Sequence, residues 1–376
     1  MKKEDYKRGK FFPALAILVG TTIGAGYLGI PYVVSKSGFL PGLAYLIFVA
    51  LFILIIELYL GEISLRTRGN HQLTGYAERY IGRKGKILMF FAMIFGIYSA
   101  LIAYLIGEGK SLSYVFLGNE SYAFAFSILF WLIMAGLTYI GLKALKKYEK
   151  IGMILVFSTL VLIAVFFSKG IRIENLSYIN PENLFLPFGI ILFSFLAFSA
   201  MPEVERVLLG QEKFMKKIII FGVTIPFVMY FIFTILVVGN FGVHVPEIAT
   251  LALGRFFSVL GVLTIFTAFF ALTLAIRDMF RFDFRLGRFK GWLLACLIPV
   301  ILFIIDYTLH LFSFVQILSI SGIVSGGLTG ILILLMNKNA KKKGNRKPEY
   351  SMPINNWIIF LLSLIFILAV LAEFLL

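Results

Sequence analysis

Gly20-Thr21-Thr22-Ile23-Gly24-Ala25-Gly26-Tyr27-Leu28-Gly29-Ile30-Pro31 decides how this chain is read. The stretch lies inside an apolar run over residues 12–34. A helix needs roughly 20 residues to cross a bilayer, so the run is long enough to span one. Its middle is nevertheless a poor place for unbroken helix. Each glycine costs about 1 kcal/mol relative to alanine, and Gly20, Gly24, Gly26 and Gly29 crowd together. Unwound backbone within a membrane persists only where protein or a ligand satisfies it. A break between residues 20 and 26 would present bare N–H and C=O groups near the bilayer midplane, as in secondary transporters. Alternatively, Gly20 and Gly24 form a GxxxG packing face on a continuous helix.

Composition sets the class. Hydrophobic residues make up 60% of the 376 and charged residues 14%, against about 45–50% and about 25% in soluble domains. The chain reads as an all-α polytopic membrane protein. Its formal net charge of +16 does not point to nucleic acid, because the basic residues lie in loops between apolar runs. The lone Cys296 excludes an internal disulfide framework or a CxxC metal site. No HExxH, GxSxG or P-loop pattern is present, so no enzyme is expected. No cofactor is expected beyond a coupling ion, and no cleavable signal is evident.

Eleven spans are predicted, at about 12–35, 40–65, 87–116, 122–142, 151–168, 185–209, 217–239, 248–276, 291–306, 309–336 and 354–375. With the N-terminus placed in the cytoplasm, 30 of the 35 Lys and Arg fall in cytoplasmic segments. The C-terminus then lies outside. These basic loops also suit anionic membrane lipids.

Span 6 carries a second interruption. Pro202 lacks the N–H that a continuous helix needs but suits the first turn of a new one. A break is expected over residues 194–201, with a simple proline kink as the alternative. Spans 1 and 6 are five apart and enter from opposite sides. Two interrupted spans in corresponding positions of oppositely oriented halves point to an inverted-repeat transporter and to its binding site. The expected organisation is a tail at 1–11, a first repeat at 12–168, a second at 185–336 and an extra span at 354–375.

At these residues the chain resembles a known group. The stretch from Gly20 to Pro31 resembles the first-span signature of the amino acid/auxin permeases, most closely the bacterial hydroxy and aromatic amino acid permeases that carry tyrosine and tryptophan. Ile56-Glu57-Leu58-Tyr59, Tyr80-Ile81-Gly82-Arg83-Lys84-Gly85, Tyr98 with Ala103-Tyr104-Leu105-Ile106-Gly107-Glu108-Gly109, and Phe198-Ser199-Ala200-Met201-Pro202-Glu203 are similar to that family's corresponding segments. Thr267-Ala268-Phe269-Phe270 with Asp278 is similar to its span 8, with Ala268 in place of a serine and Ala271 in place of a glycine. The likeness covers roughly residues 10–335 and is strongest through span 3. It implies a leucine-transporter-like fold of five-plus-five inverted repeats, with helices 1 and 6 broken and an eleventh helix added. It also implies cation-coupled amino acid uptake, with a lean to aromatic or large neutral substrates. A plasma membrane location and function as a monomer are further expectations.

The residues make chemical sense of that role. N–H groups near Gly24, Ala25 and Gly26 suit a substrate carboxylate. Carbonyls left free near residues 20–22 and 195–198 suit an ammonium or a cation. Thr21 and Thr22 add hydroxyls, although a mid-helix threonine often bonds the carbonyl one turn back. Ser194, Phe195, Phe198 and Ser199 are pocket candidates from span 6. Tyr98 and Tyr104 are pocket candidates from span 3, Tyr98 lying too deep for an interfacial anchor. Glu57 is a coupling candidate or a structural carboxylate bonded to backbone. Thr267, with carbonyls near Gly20, can form a Na+ site of oxygen ligands; H+ coupling remains open. An amino acid exchanger and a substrate-sensing receptor on the same scaffold are the alternatives.

Overall fold

The computed structural model describes residues 9–69, 71–140, 145–282 and 284–375. Among these, eight helices are long and apolar enough to cross a membrane, and a ninth span is bent by 42° at a break. The bent span is α1 (Phe11–Thr22) followed, after a 3-10 turn at Ala25–Gly29, by α2 (Ile30–Ser37). Spans 2 to 5 are α3 (Phe39–Leu65), α5 (Arg83–Leu117), α6 (Ala123–Ile140) and α7 (Leu145–Phe167). The helix α4 (Leu73–Ile81) lies between spans 2 and 3, and α8 (Ile173–Ser177) follows span 5. Span 6 is α9 (Pro187–Phe195) and α10 (Met201–Leu208). Spans 7 to 9 are α11 (Met215–Phe241), α12 (Arg255–Phe282) and α13 (Arg288–Leu309). Span 10 is α14 (Phe314–Ser321), a π-helical turn at Gly322–Gly326, and α15 (Gly327–Lys343). Span 11 is α16 (Asn356–Leu375).

Each of the eleven apolar runs is thus helical, but some boundaries move. Span 8 begins at Arg255 rather than near 248, because Ala249–Leu253 forms a separate 3-10 turn. Gly254, at φ +90°, ends that turn in a conformation other residues avoid. The segment between spans 2 and 3, expected as loop, contains α4, whose buried face carries Leu73, Tyr76, Ala77 and Tyr80. The short apolar period inside a basic loop was too weak a signal for a helix.

Both interruptions are real breaks in the hydrogen-bond ladder. Ile23 (φ −78°, ψ 67°) and Gly24 (φ −85°, ψ −164°) leave the helical region. Leu196 (ψ 105°) does the same in span 6. The breaks meet face to face, where only glycine fits: a Cβ on Gly26 would lie 2.6 Å from Ser194 Oγ and 2.8 Å from Phe193 Cδ1. Around them, α3 and α11 pack together, as do α5 and α12, and α9 packs on α14.

The basic end of the molecule is strapped by the connection between α15 and α16. Buried Glu62 accepts hydrogen bonds from Met352 N (2.8 Å), Ser351 Oγ (2.8 Å), Arg66 Nε (2.8 Å) and Asn337 Nδ2 (3.2 Å). At the other end, the connection after span 5 folds back on α2. Asn180 N donates to Ser37 O (3.0 Å), and Gly38 pairs with Ile179 in an isolated bridge. Gly38 sits at φ +107°, and a Cβ there would lie 2.3 Å from Tyr178 O. Gly38→Ala is therefore expected to destabilise the protein by about 1–3 kcal/mol, read as a lower melting temperature in detergent; an unchanged melting temperature contradicts the packing of this connection.

Candidate functional site

The breaks in spans 1 and 6 open onto a cavity of about 160 Å³. From the first break it is lined by Gly20, Thr21, Thr22, Ile23, Gly24 and Gly26; from the second by Ser194, Leu196, Phe198 and Ser199. Its far wall is made by small residues of two helices, Gly96 and Ala100 of α5 and Ala268 and Ala271 of α12. The lining extends to Leu73 and Thr329, on the side where Lys and Arg gather. Just beyond the lining residue Thr264 lies Tyr27, whose hydroxyl meets Thr264 Oγ1 at 3.4 Å and whose ring packs on Phe233. Among the described residues, no charged side chain lines the cavity.

That absence restricts the chemistry. A ligand carrying net charge would lose its hydration with no counter-charge to meet it, which is costly in a low-dielectric site. A zwitterion fits better, because its two charges face opposite helix-end dipoles. The hydroxyls of the site have fixed roles. Thr21 donates to Ile17 O (2.8 Å), Thr22 to Leu18 O (2.8 Å), Ser194 to Ile190 O (2.7 Å), and Thr267 to Thr264 O (3.0 Å). With their protons engaged by backbone, these oxygens offer only lone pairs, which attract an ammonium or a hard cation and repel a carboxylate. Among the described residues no hydrogen bond reaches Gly20 O or Thr21 O, so these carbonyls add to that acceptor set. Gly20 and Thr267 both line the cavity. No group of three His, Cys, Asp or Glu side chains that could hold a metal occurs among the described residues, so any cation here must rely on neutral oxygens.

Not every predicted residue reaches the cavity. Tyr104 does, and its hydroxyl faces the Ala25 N–H. Ala25 itself is fully buried and outside the lining. Tyr98 turns away: its hydroxyl donates to Leu294 O of α13 at 3.0 Å, which explains its depth without a pocket role. Phe195 also lies outside and packs edge-on against Tyr230, with ring centroids 5.2 Å apart. Glu57 is fully buried on α3 outside the cavity. Neither of its carboxyl oxygens has a hydrogen-bond partner among the described residues, and the Ala197 N–H at the second break is the donor directed towards it.

Two features escaped the sequence. Span 10 lines the cavity through Ser321, Ser325, Gly326 and Thr329. The run Ser319-Ile320-Ser321-Gly322 within an apolar span, followed by Ser325-Gly326-Gly327, was the available signal. The other is Tyr230 of α11, 1% exposed, whose hydroxyl lies 2.7 Å from Thr22 O and 2.9 Å from Ser194 O. The expectation of free carbonyls at residue 22 is corrected by this contact. A single tyrosine among 17 carries no motif that could have revealed it.

Comparison with known proteins agrees with this architecture. The structure of MhsT in complex with L-phenylalanine superposes with a TM-score of 0.71 at 18% identity, over 96% of this chain and 97% of that one. The fold is therefore that of the leucine-transporter class. Glutamine transporter 2 of Aliivibrio fischeri is 25% identical over 240 residues, 61% of each protein. Tyrosine-specific transport system 2 of Haemophilus influenzae is 25% identical over 236 residues, 60% of this chain and 57% of the relative. The chain thus spans about three fifths of the length of the curated relatives it matches. The model of the tryptophan/tyrosine permease family matches residues 7–373, and the chain belongs to that family.

Proposed function

We propose that the protein is a secondary active amino acid transporter that takes a large neutral, preferably aromatic, amino acid into the cavity between spans 1, 3, 6, 8 and 10. The observation that carries this reading is the cavity itself: two broken helices meet at it, and among the described residues no charged side chain lines it. The substrate ammonium lies against Gly20 O, Thr21 O and the hydroxyl lone pairs. Its carboxylate lies towards the Gly26 N–H and the Tyr104 hydroxyl at the start of the second half of span 1, the Gly24 N–H being given to Thr22 O (2.8 Å) and the Ala25 N–H to Tyr104. The side chain extends between Gly96, Ala100, Ala268 and Ala271. An apolar cavity of about 150 Å³ accepts a benzene ring, so about 160 Å³ here suits an aromatic side chain. The relatives named for tyrosine transport and the structural neighbour solved with L-phenylalanine support the lean; the relative named for glutamine leaves room for smaller side chains.

Uptake is coupled to Na+ or H+ and proceeds by alternating access, the halves of spans 1 and 6 rearranging against spans 3 and 8 in the plasma membrane. The Lys and Arg pattern supports a cytoplasmic N-terminus, and the cavity's extension towards Leu73 then makes this an inward-facing arrangement. Gly20 O and Thr267 Oγ1 serve a Na+ site, and Glu57 serves proton coupling through the Ala197 backbone at the second break.

Purified protein in proteoliposomes is expected to accumulate labelled tyrosine or tryptophan when a Na+ or H+ gradient is imposed separately. Accumulation under one gradient names the ion; saturable binding with no accumulation under either contradicts symport and favours an exchanger or sensor. Gly24→Leu, whose Cβ alone would approach Tyr104 Oη to 3.2 Å, is expected to insert normally and abolish uptake. Transport at the wild-type rate by that variant would remove the substrate from the first break. Glu57→Gln is expected to lose H+-driven accumulation while retaining tyrosine–tyrosine exchange; unchanged accumulation excludes Glu57 from coupling.

A further inference from the structure

The C-terminal ends of α1 and α9 converge on one atom. A helix leaves its last carbonyls without intrahelical partners and carries the negative end of its dipole there. Thr22 O and Ser194 O come from the ends of these two helices. Both point at the Tyr230 hydroxyl, at 2.7 and 2.9 Å. A phenol has one hydrogen, so a single positive hydrogen faces two carbonyl oxygens. Neutral carbonyls at two negative helix ends are the surroundings a small hard cation prefers. Here a side chain of span 7 fills that position. The hydroxyl cannot easily swing aside, because the ring is stacked on Tyr27 (5.8 Å, 5° between planes) and held edge-on by Phe195 (5.2 Å). Its position is distinct from the cavity, whose lining does not include Tyr230.

We propose that the Tyr230 hydroxyl is a built-in substitute for a bound cation, neutralising the C-termini of α1 and α9 and tying both breaks to span 7. The two breaks then hold together without an ion at this junction and rearrange as one body with α11. The coupling ion acts elsewhere, and Tyr230 is a positioning residue that touches no substrate. This inference rests on the transport reading above only for its consequences in uptake.

Two variants test it. Tyr230→Phe keeps the ring and removes the hydrogen, leaving Ser194 O without its hydroxyl partner and Thr22 O with the Gly24 N–H (2.8 Å) alone. Tyr230→Asn shortens the side chain and places an amide oxygen near the same carbonyls with room for an ion. Bound 22Na+ per polypeptide, melting temperature in NaCl against choline chloride, and tyrosine uptake are measured for both variants and the wild-type protein. Tyr230→Phe is expected to slow uptake roughly tenfold, the cost of an unsatisfied buried carbonyl, and to show a Na+-dependent rise in melting temperature larger than that of the wild-type protein. Tyr230→Asn is expected to bind one more Na+ per polypeptide than wild type, whatever the wild-type count, and to recover uptake as Na+ is added. An unchanged Na+ count in Tyr230→Asn, or a Tyr230→Phe protein whose uptake and ion response match wild type, overturns the proposal. If Tyr230→Asn does not fold, the ion response of the Tyr230→Phe melting temperature decides. Failure of the wild-type protein to take up any amino acid refutes the transport reading instead, and the Na+ count and melting temperatures still judge Tyr230.

Discussion

Backbone hydrogen bonds left unmade inside a membrane are the constraint on which the rest of this structure depends. In hydrocarbon each unsatisfied N–H or C=O costs several kcal/mol. Spans 1 and 6 nevertheless both leave the helical path, at Ile23 and Gly24 and at Leu196. They can do so because each break faces the other. Gly26 and Ser194 approach too closely for any side chain at residue 26, the Gly24 N–H turns back to Thr22 O, and the Tyr230 hydroxyl lies between one carbonyl from each break. What the protein itself leaves unmade, at Gly20 O and Thr21 O, is turned towards the cavity. The same groups that would destabilise a simple spanning helix become part of the polar lining of the cavity.

The division of labour around the site follows from this. Polar recognition comes from backbone at the breaks and from hydroxyls whose protons are already committed to carbonyls one turn back. Shape comes from small residues on α5 and α12. Charge is kept out of the lining and placed behind it: Glu57 sits at the back of the second break, and Glu62 anchors the segment between α15 and α16 at the basic end. The cavity's lining reaches from Thr264, beside Tyr27, to Leu73 and Thr329.

Much of this was legible in the residues, for physical reasons that also mark the limit. Glycine and proline report backbone directly, so the breaks at Gly24 and ahead of Pro202 could be located from sequence. Charge asymmetry reports topology, so the run of spans could be counted. Side-chain direction is not encoded in the same way. Tyr98 and Tyr104 lie on one helix, yet one bonds Leu294 O and the other faces the first break. Phe195 was expected in the pocket but packs against Tyr230 instead of lining the cavity. Tyr230 was silent because its importance lies in contacts to residues 208 and 36 positions away. The helix α4 was missed because a nine-residue amphipathic segment in a basic loop gains its stability from tertiary burial rather than from propensity.

The central claim is that a neutral amino acid binds between the two breaks through their backbone. An experimental structure of the protein with L-tyrosine bound tests it most directly. The account predicts the substrate ammonium within hydrogen-bond distance of Gly20 O or Thr21 O, its carboxylate against the Gly26 N–H and the Tyr104 hydroxyl, and its ring between Ala100 and Ala268. A substrate bound elsewhere, or one in this cavity with its charged groups away from both breaks, would contradict it.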